Sequence, residues 1–376
     1  MTGADAGGLR QIQEGAAARA VLPGIFELAE REGILRRMKD LSPFCVEDLC
    51  RALHADLGYA VSLGNRGRMI GLLVGLLSEC GRLLEDGTKW RWAGDGNDGI
   101  ADVPGGAAVP AEAPEPPDDG QVPFFRKCIE AAPAYLRGGP PFLSFDGKAA
   151  RLWESFLGCR EFRICRSLLL DFMRIRNAPS FRLLDLCHGP GWGLEAVAGR
   201  FPLVRMTALD FTDAFSARAR ERVGLAGGGS PGSAGPVVTW VGPDRWKGFG
   251  HPLPFGDGTF DAVFFSCGDP YIPAAQRGAV YREIARILAP GATLGILTRC
   301  RPDADRRHVP SFRIRVSALV HDFAESVCEG WEGFPSAEEN IRLFSELGFA
   351  GERSVLGSMS LLESSLWVLR KAGADA

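Results

Sequence analysis

The sequence predicts an α/β domain that follows a mainly α-helical domain. Through residues 10–93, apolar residues recur three and four positions apart, which is typical of amphipathic helices. After Pro179, strand-like apolar runs alternate with helical patterns, and this alternation predicts a parallel sheet with helices on both faces. The first run leads directly into a glycine-rich turn, "LLDLCHGPGWG" at residues 183–193.

Composition and charge restrict the class of protein. The chain has 376 residues, 46% of them hydrophobic, and a formal net charge of -3, which suits two ordinary globular domains and favours neither nucleic acid nor acidic membranes. No apolar run reaches the roughly 18 residues of a membrane span. The N-terminus lacks a secretory signal and the ten cysteines include no CxxC pair, so we expect reduced thiols and a cytoplasmic protein. No cluster has metal-ligand spacing, so we expect no metal.

Residues 1–93 are predicted to form a winged-helix domain. Helical patterns are followed by "RLLEDGTKWRWA", in which Asp86-Gly87 separates two short strand-like runs and predicts a hairpin. Gly81 is the expected C-terminal cap of the preceding helix. That helix, "NRGRMIGLLVGLLSECG", is apolar around most of its circumference. Because monomers seldom expose such a surface, we expect a homodimer built mainly by residues 10–93.

Three further segments complete the predicted organisation. Residues 94–121 contain no basic and no aromatic residue, which is typical of a disordered acidic linker rich in proline and glycine. Residues 122–178 return to helical patterns and are predicted to form a helical bridge. Residues 179–376 are predicted to form the α/β domain, which ends with two helices, at about 311–329 and 336–347, and a final strand.

The glycine-rich turn admits three interpretations. It is a tight turn without a ligand, a dinucleotide site, or a site for S-adenosylmethionine (SAM). The spacing G-P-G-W-G lacks the G-x-G-x-x-G step of dinucleotide sites. Asp210 ends the second strand, where an acid can accept the hydroxyls of a ribose, and Asp244 follows the third strand as an acceptor for an adenine amino group.

Three blocks in order decide between these interpretations. "DLCHGPGWG", "LPFGDGTFDAVF" and "ILAPGATL" follow one another between about residues 180 and 300. This ordered set resembles the SAM-dependent methyltransferases with a Rossmann-like fold. Two residues depart from the family pattern: Cys187 stands at the first glycine of the turn, and Ala292 at the second glycine of the late block.

The resemblance implies that SAM is the cofactor, with its methionine moiety lying close to the backbone of the turn. Asp185 is expected to order the turn and to help bind the SAM ammonium group. Asp210 is expected to hold the ribose, with a role as a helix N-cap as the alternative. The predicted cofactor-binding residues are Asp185, His188, Gly189, Gly191, Asp210, Phe211, Asp244, Arg245, Trp246 and Ser266.

A winged helix before such a domain resembles the small-molecule O-methyltransferases of plants and bacterial natural-product pathways. The resemblance implies a dimer and a front domain that forms one wall of the acceptor pocket. Winged helices also bind DNA, so a SAM-responsive DNA-binding regulator is one alternative. Against it, Arg66 and Arg68 are the only basic residues of the candidate recognition helix, which lacks the basic stripe that DNA needs.

The catalytic residue is less clearly indicated. O-methyltransferases of the plant type place a histidine just after the fourth strand, and here "FFSCGDPYIPAAQRGAV" contains none. Alignment of the acceptor with the methyl group of a sulfonium is enough to accelerate the transfer. A general base is therefore needed only when the nucleophile carries a proton of high pKa. The candidates for general base or acceptor anchor are His321, Asp269 and Tyr271.

The sequence thus predicts methyl transfer from SAM to a small, largely apolar acceptor, preferably at oxygen, in a biosynthetic pathway. The alternative within the fold is a C- or N-methyltransferase, or an enzyme that has lost methyl transfer. We expect neither nucleic acid nor membrane as a partner. The aromatic residues that suit a flat acceptor, although they could equally be core, are Phe142, Phe145, Trp153, Phe156, Phe323 and Trp331.

Overall fold

A computed structural model describes residues 17–61, 64–93, 120–226, 236–302, 311–355 and 362–373. Its helices are α1 (Ala17–Arg31), α2 (Ile34–Leu41), α3 (Val46–Leu57), α4 (Asn65–Glu79), α5 (Gln121–Leu136), α6 (Ala150–Leu157), α7 (Arg160–Phe172), α8 (Trp192–Arg200), α9 (Ser216–Ala226), α10 (Arg277–Ile287), α11 (Phe312–Glu325) and α12 (Ala337–Glu346). Its strands are β1 (Leu83–Asp86), β2 (Lys89–Trp92), β3 (Arg182–Leu186), β4 (Arg205–Leu209), β5 (Val238–Val241), β6 (Phe260–Ser266), β7 (Leu288–Thr298), β8 (Phe349–Val355) and β9 (Ser365–Lys371). Single turns of 3₁₀-helix span Asp269–Tyr271 and Ala274–Gln276.

The chain divides into two compact units. The first takes Met1–Leu143 and Val309–Gly333, and the second takes Ser144–His308 and Phe334–Ala376. The predicted helical bridge is therefore shared, with α5 in the first unit and α6 and α7 in the second. Helix α11 belongs to the first unit, although the sequence places it after the fifth strand of the α/β domain. Of the predicted linker, residues 94–119 lie outside the described residues, and Gln121 already begins α5.

Helix α11 lies at the packing centre of the first unit. Every residue from Ile314 to Glu325 is buried, and the helix contacts α1, α4 and α5. A Cβ built on Gly75 of α4 would lie 3.6 Å from the side chain of Leu319, so the missing side chain brings α4 and α11 close together. Segments far apart in the sequence thus share one core.

This packing covers the apolar surface from which the homodimer was predicted. Seven residues of α4 are buried inside the chain, and α11 supplies the main cover. A second copy is not needed to remove that surface from water. The homodimer therefore remains a prediction, and the apolar surface of α4 no longer supports it. The buried α4 residues are Met69, Ile70, Leu72, Leu73, Val74, Leu76 and Leu77.

The two arginines at the start of α4 are bound within the first unit. Arg66 donates to the Tyr135 carbonyl at 2.7 Å and to the Gly139 carbonyl at 2.9 Å. Arg68 forms an ion pair with the buried Asp322. Guanidinium groups held in this way are poorly placed to contact phosphates, which weakens the alternative of a DNA-binding regulator.

The predicted hairpin is present in the first unit. Strands β1 and β2 pair antiparallel, with Asp86 opposite Lys89 at the turn, and Gly87 takes the positive φ of 63° that the turn requires. Gly81, with φ of 72°, directly follows the last turn of α4, as predicted for its C-terminal end. Helices followed by a hairpin agree with the winged-helix prediction, but whether this unit is a winged helix stays a prediction.

The second unit is built on a seven-stranded sheet with the order β5-β4-β3-β6-β7-β9-β8. Strands β3 to β7 are parallel, and β9 is antiparallel to both of its neighbours. The parallel strands are apolar because helices cover both faces, as the sequence predicts. Strand β8 was not predicted; it pairs only with β9 at the sheet edge.

The strand order creates a switch point in the second unit. The chain starts at the centre with β3, moves outward through β4 to β5, and then crosses back to place β6 beside β3. In open parallel sheets, ligands bind in the crevice at the carboxyl ends of the strands at such a point. The glycine-rich turn leaves β3 at this crevice. No helix in the described part of the chain has the length and apolar character to cross a membrane.

Candidate functional site

The turn after β3 uses its glycines in two different ways. A Cβ on Gly191 would lie 2.7 Å from the backbone of Ala219 in α9, and a Cβ on Gly193 would lie 2.5 Å from Asp185 Oδ2. These two positions therefore exclude side chains because of neighbouring protein atoms. A Cβ on Gly189 would meet nothing closer than Leu157 Cδ1 at 3.8 Å. That is an ordinary van der Waals contact, so among these three glycines only Gly189 is free of a steric clash, and its positive φ of 50° is what favours glycine there.

Two cysteines at this edge hold a strained backbone. Cys187 follows β3 with φ of 57°, and Cys267 follows β6 with φ of 63°. This left-handed conformation costs a non-glycine residue about 1 kcal/mol. It also explains why the family pattern has glycine where this chain has Cys187. Strained residues at the ends of two adjacent strands mark this edge as a functional site.

Asp185 lies inside β3 beneath the turn. It is 2% exposed, and its Oδ2 makes no hydrogen bond within the described part of the chain. Burial raises the pKa of Asp185 to about 8, while the nearby charge of Arg166 and the Leu194 N–H act in the opposite direction. A buried carboxyl oxygen without a partner is costly, and a cationic group of a ligand would remove that cost.

Asp210 directly follows β4 and is 3% exposed. Its Oδ2 accepts from the Gly189 N–H at 2.9 Å, and its Oδ1 accepts from the Thr212 N–H at 3.2 Å. Burial raises the pKa of Asp210, opposed mainly by the nearby His188. Helix α9 starts only at Ser216, so Asp210 is not its N-cap. Each oxygen retains a lone pair that can accept from a hydroxyl group.

His188 is held within the turn. Its Nδ1 lies 2.7 Å from the Gly189 carbonyl, so Nδ1 carries the proton and donates it. The ring packs edge-on against Trp240 of β5, at 5.4 Å between centroids. His188 is thus fixed in one orientation beside Asp210.

The predicted adenine-binding residues follow β5. Asp244 and Arg245 are exposed, and Trp246 is buried with its Nε1 3.4 Å from the His251 carbonyl. A Cβ built on Gly242 would lie 3.5 Å from Asp244 Oδ1, which places that carboxylate at the end of the strand. Trp246 packs edge-on against Phe211, so the two belong to one aromatic layer.

An aromatic cluster lies beside Asp210 in the second unit. Phe145 stacks on Trp153 at 5.5 Å and packs edge-on against Phe211 and Tyr271 at 5.3 and 5.4 Å. Phe145, Phe211 and Tyr271 are all partly exposed. Of the predicted pocket aromatics, this unit also contains Phe156, 6.2 Å from Trp153. The remaining three, Phe142, Phe323 and Trp331, belong to the first unit.

Asp269 has less freedom than a catalytic base needs. It is fully buried after β6, where it pairs with Arg277 at 2.5 Å and accepts from Tyr281 and from Thr298 Oγ1 at 3.4 Å. This network fixes the short 3₁₀-turn that carries Tyr271. Of the three predicted catalytic residues, only Tyr271 contributes its side chain to the aromatic cluster.

His321 lies in the first unit, on the buried helix α11. It is 4% exposed, its Nε2 forms a hydrogen bond with Glu325 Oε2 one turn later, and its ring stacks on Trp331 at 5.9 Å with an interplanar angle of 13°. Phe125 of α5 contacts the ring from another side, at 5.0 Å between centroids. Its role as a general base stays a prediction.

Sequence reasoning missed one residue at the site. Arg166 of α7 donates from Nε to Ser266 Oγ at 3.0 Å, at the carboxyl end of β6. Ser266 was predicted to bind the cofactor, but Arg166 lies in a helical segment read as a bridge, and nothing in the local pattern distinguishes it from a surface arginine. Within the described ranges, no group of His, Cys, Asp and Glu side chains is arranged to hold a metal ion.

Residues 183–291, from β3 into β7, match the family model of a methyltransferase domain. The chain contains a methyltransferase domain. The fit is visible in this chain, because Asp185 and Asp210 place buried carboxyl groups at the carboxyl ends of β3 and β4, beside the glycine-rich turn. The methyl donor is S-adenosylmethionine, and the protein is a SAM-dependent methyltransferase. No curated protein sequence matches the chain.

Three solved structures resemble nearly the whole methyltransferase chain. The CurJ carbon methyltransferase matches with a TM-score of 0.61 and 13% identity over 98% of this chain and 97% of that one. The DszA carbon methyltransferase matches with a TM-score of 0.57 and 18% identity over 97% of this chain and 96% of that one. The CMeT domain of the citrinin polyketide synthase matches with a TM-score of 0.52 and 15% identity, also over 97% of this chain and 96% of that one. At these identities the likeness shows the fold.

Proposed function

We propose that this methyltransferase transfers the methyl group of SAM to a carbon atom of a small, largely apolar acceptor. The acceptor class is inferred from the aromatic cluster beside Asp210, in which the partly exposed Phe145, Phe211 and Tyr271 pack together and Phe145 stacks on the buried Trp153. Aromatic faces of this kind bind flat, apolar molecules, because they remove apolar area from water and stack on planar groups.

The proposal places SAM along the carboxyl edge of the sheet. Asp210 would accept from the ribose hydroxyls, Asp185 would face the ammonium group, and the backbone at Gly189 would lie beside the methionine moiety. Asp244 is available to the adenine amino group at the exposed end of β5. His188, held in one tautomer beside Asp210, restricts the position of the ribose side.

The reaction is an in-line displacement at the methyl carbon. A lone pair or carbanion of the acceptor forms the new bond, the carbon–sulfur bond breaks, and its electron pair remains on sulfur as S-adenosylhomocysteine. The acceptor loses a proton. This chain contributes alignment through the rigid turn and the aromatic faces, and effective alignment alone supplies much of the acceleration.

Two observations favour carbon over the oxygen that the sequence first suggested. The loop after β6 lacks the histidine that plant-type O-methyltransferases place there. In addition, the three solved structures named above, which match nearly the whole chain with TM-scores above 0.5, are described as two carbon methyltransferases and a CMeT domain. Oxygen remains the second candidate, supported by the sequence pattern of a front domain before the Rossmann-like domain.

A carbon acceptor needs a proton removed from an acidic C–H bond. Tyr271 is the candidate base within the aromatic cluster, and Asp269 is a positioning residue that fixes its turn through Arg277 and Tyr281. His321 remains the alternative base, with Glu325 holding its ring. The roles of Tyr271, Asp269 and His321 can be distinguished by substitution. Only the substitution of a general base lowers the turnover while leaving the binding of SAM unchanged.

The test offers the enzyme two matched acceptor panels with SAM that carries a ¹³C-labelled methyl group. One panel contains 1,3-dicarbonyl thioesters, which have acidic C–H bonds, and the other contains phenols. Carbon–carbon coupling to the label in the product identifies methyl transfer to carbon. Products labelled only at oxygen would overturn the choice of carbon, and an Asp210→Asn variant controls for transfer that does not use the SAM site.

A further inference from the structure

Arg166 is a buried cation whose role the catalytic proposal does not use. It lies on α7 and is 4% exposed. Its Nε donates to Ser266 Oγ at 3.0 Å, and its Nη1 donates to the Leu157 carbonyl at 2.7 Å, at the last residue of α6. Its Nη2 makes no hydrogen bond to any described residue. A buried guanidinium with one unused nitrogen is expected to have an anionic partner.

The two groups that hold Arg166 place it beside the methionine end of the SAM site. Ser266 ends β6, which is the strand next to β3 in the sheet. The side chain of Leu157, whose carbonyl accepts from Nη1, is also the nearest neighbour of a Cβ built on Gly189, at 3.8 Å. The guanidinium therefore lies at the crevice between the ends of β3 and β6, above the turn.

The effect of Arg166 on the neighbouring Asp185 supports this placement. The guanidinium is near enough to Asp185 to oppose the effect of burial on the pKa of that carboxyl group. No ion pair joins Arg166 to Asp185, and Asp185 Oδ2 likewise has no hydrogen-bond partner among the described residues. A buried cation and a buried carboxyl group, the latter with one oxygen that makes no hydrogen bond, thus lie beside the same crevice.

We propose that Arg166 binds the carboxylate of the methionine moiety of SAM. The amino-acid end of SAM carries an ammonium and a carboxylate on one carbon atom, which matches the Asp185 and Arg166 pair in charge and number. Arg166 would also fix the end of β6 through Ser266, so that the sulfonium is aligned with the acceptor. The inference concerns the cofactor alone and does not depend on the nature of the acceptor.

A carboxylate on the acceptor is the other source of the same chemistry. The two sources are distinguished by measuring binding without any acceptor. The probes are S-adenosylhomocysteine and its decarboxylated analogue, which keeps the ammonium group and lacks only the carboxylate. Isothermal titration calorimetry gives the dissociation constant of each probe for the full-length wild type, for Arg166→Met and for Arg163→Met.

We expect the wild type to bind S-adenosylhomocysteine roughly tenfold to a hundredfold more tightly than the decarboxylated analogue, the range of a lost charge-assisted hydrogen bond. In Arg166→Met this preference should fall to near one, because only the intact probe loses its partner. Arg163 is exposed on the same helix, so Arg163→Met should keep the preference of the wild type.

Two results would overturn the proposal. One is a wild type that binds the two probes with equal affinity. The other is an Arg166→Met variant that prefers S-adenosylhomocysteine over the decarboxylated analogue as strongly as the wild type does. That result would assign the SAM carboxylate to another residue and Arg166 to the acceptor. If Arg166→Met does not fold, Arg166→Lys decides, because lysine keeps the charge but cannot reach Ser266, Leu157 and a ligand together. An intermediate preference in Arg166→Lys is the supporting result, and an unchanged one contradicts the proposal.

Discussion

The first unit of this methyltransferase and the switch point of the second unit both bury acidic side chains, and they neutralise them differently. In the first unit, Asp322 accepts from Arg68 and from the Trp331 indole at 2.8 Å. Glu79 accepts two hydrogen bonds from Arg315, at 3.0 and 2.9 Å. Each of these carboxylates therefore has a cationic partner supplied by the same unit.

In the second unit, the acids at the switch point lack such partners. Asp210 is held by backbone N–H groups, and Asp185 Oδ2 has no hydrogen bond among the residues described. A buried carboxyl group without a polar partner is costly, so an arrangement of this kind is expected where a ligand completes it. The comparison teaches that acids paired with arginine, such as Asp322 in the first unit and Asp269 in the second, serve packing, and that acids without a cationic partner mark the SAM site.

The pair of His321 and Glu325 tests this comparison most severely, because it is buried in the first unit and is also predicted to take part in catalysis. Unlike an arginine, histidine can release its proton near neutral pH, so this pair can act chemically as well as structurally. If His321 is the general base, His321→Ala lowers the turnover by roughly two to four decades while the affinity for SAM stays near that of the wild type. Circular dichroism of His321→Ala controls for a loss of folding. Turnover that falls less than about fivefold would leave His321 as a packing residue.

The affinity for SAM tests the second half of the comparison. Asp210→Ala removes the acceptor of the ribose hydroxyls, which should weaken the binding of SAM roughly tenfold to a hundredfold. Calorimetry on a variant shown to be folded by circular dichroism measures this loss. Asp213→Ala is a suitable control, because Asp213 is an exposed acid three residues further on. Unchanged affinity in Asp210→Ala would refute the assignment.

The raised pKa of Asp185 predicts a linkage between protons and binding. Because its pKa in the folded protein is about 8, above the ordinary value, the folded state retains a proton that the unfolded state has lost between about pH 4 and 8. The stability of the ligand-free protein therefore decreases as the pH rises through this window. A bound ammonium group favours the ionised carboxylate, so binding of S-adenosylhomocysteine at pH 6.5 should release about one proton.

Calorimetry in buffers of different ionisation enthalpy counts these protons. Asp185→Asn has nothing to release at this position, so its count should fall by about one relative to the wild type. Equal proton release by the two proteins would show that Asp185 is not the group that responds to the ammonium.

The strained turn predicts the smallest effect. Cys187→Gly removes the cost of a left-handed backbone, and we expect the free energy of unfolding to rise by up to about 1 kcal/mol. Cys187→Ala keeps the strain and should show no gain. Urea unfolding of both variants measures the difference, and a Cys187→Gly protein less stable than Cys187→Ala would contradict the argument from strain.

The sequence was informative where short-range patterns determine the structure. The apolar runs gave β3 to β7 and β9, and the hairpin at Gly87 followed from its turn residues. Strand β8 was missed because "FAGERSV" contains glycine and two charged residues, which an edge strand tolerates since only one neighbour pairs with it.

Long-range packing could not be predicted in the same way. Nothing local shows that α11 covers α4, because their contact at Gly75 and Leu319 joins segments more than two hundred residues apart. The same holds for Arg166, which reaches Ser266 only after the sheet has formed. The glycines of the turn were recognised correctly as a pattern, yet Gly191 and Gly193 are required by neighbouring protein atoms, whereas Gly189 is favoured by its positive φ without a close neighbour.

The most direct test of the central claim compares two isosteric substitutions, Asp210→Asn and Asp322→Asn, by thermal unfolding with and without saturating S-adenosylhomocysteine. Asp322→Asn breaks a buried ion pair, so its melting temperature without ligand should fall by roughly 5 °C or more while the ligand still stabilises it fully. Asp210→Asn should melt close to the wild type without ligand and lose most of the stabilisation by ligand. The account would be contradicted if Asp210→Asn lost as much stability as Asp322→Asn and kept the full effect of the ligand.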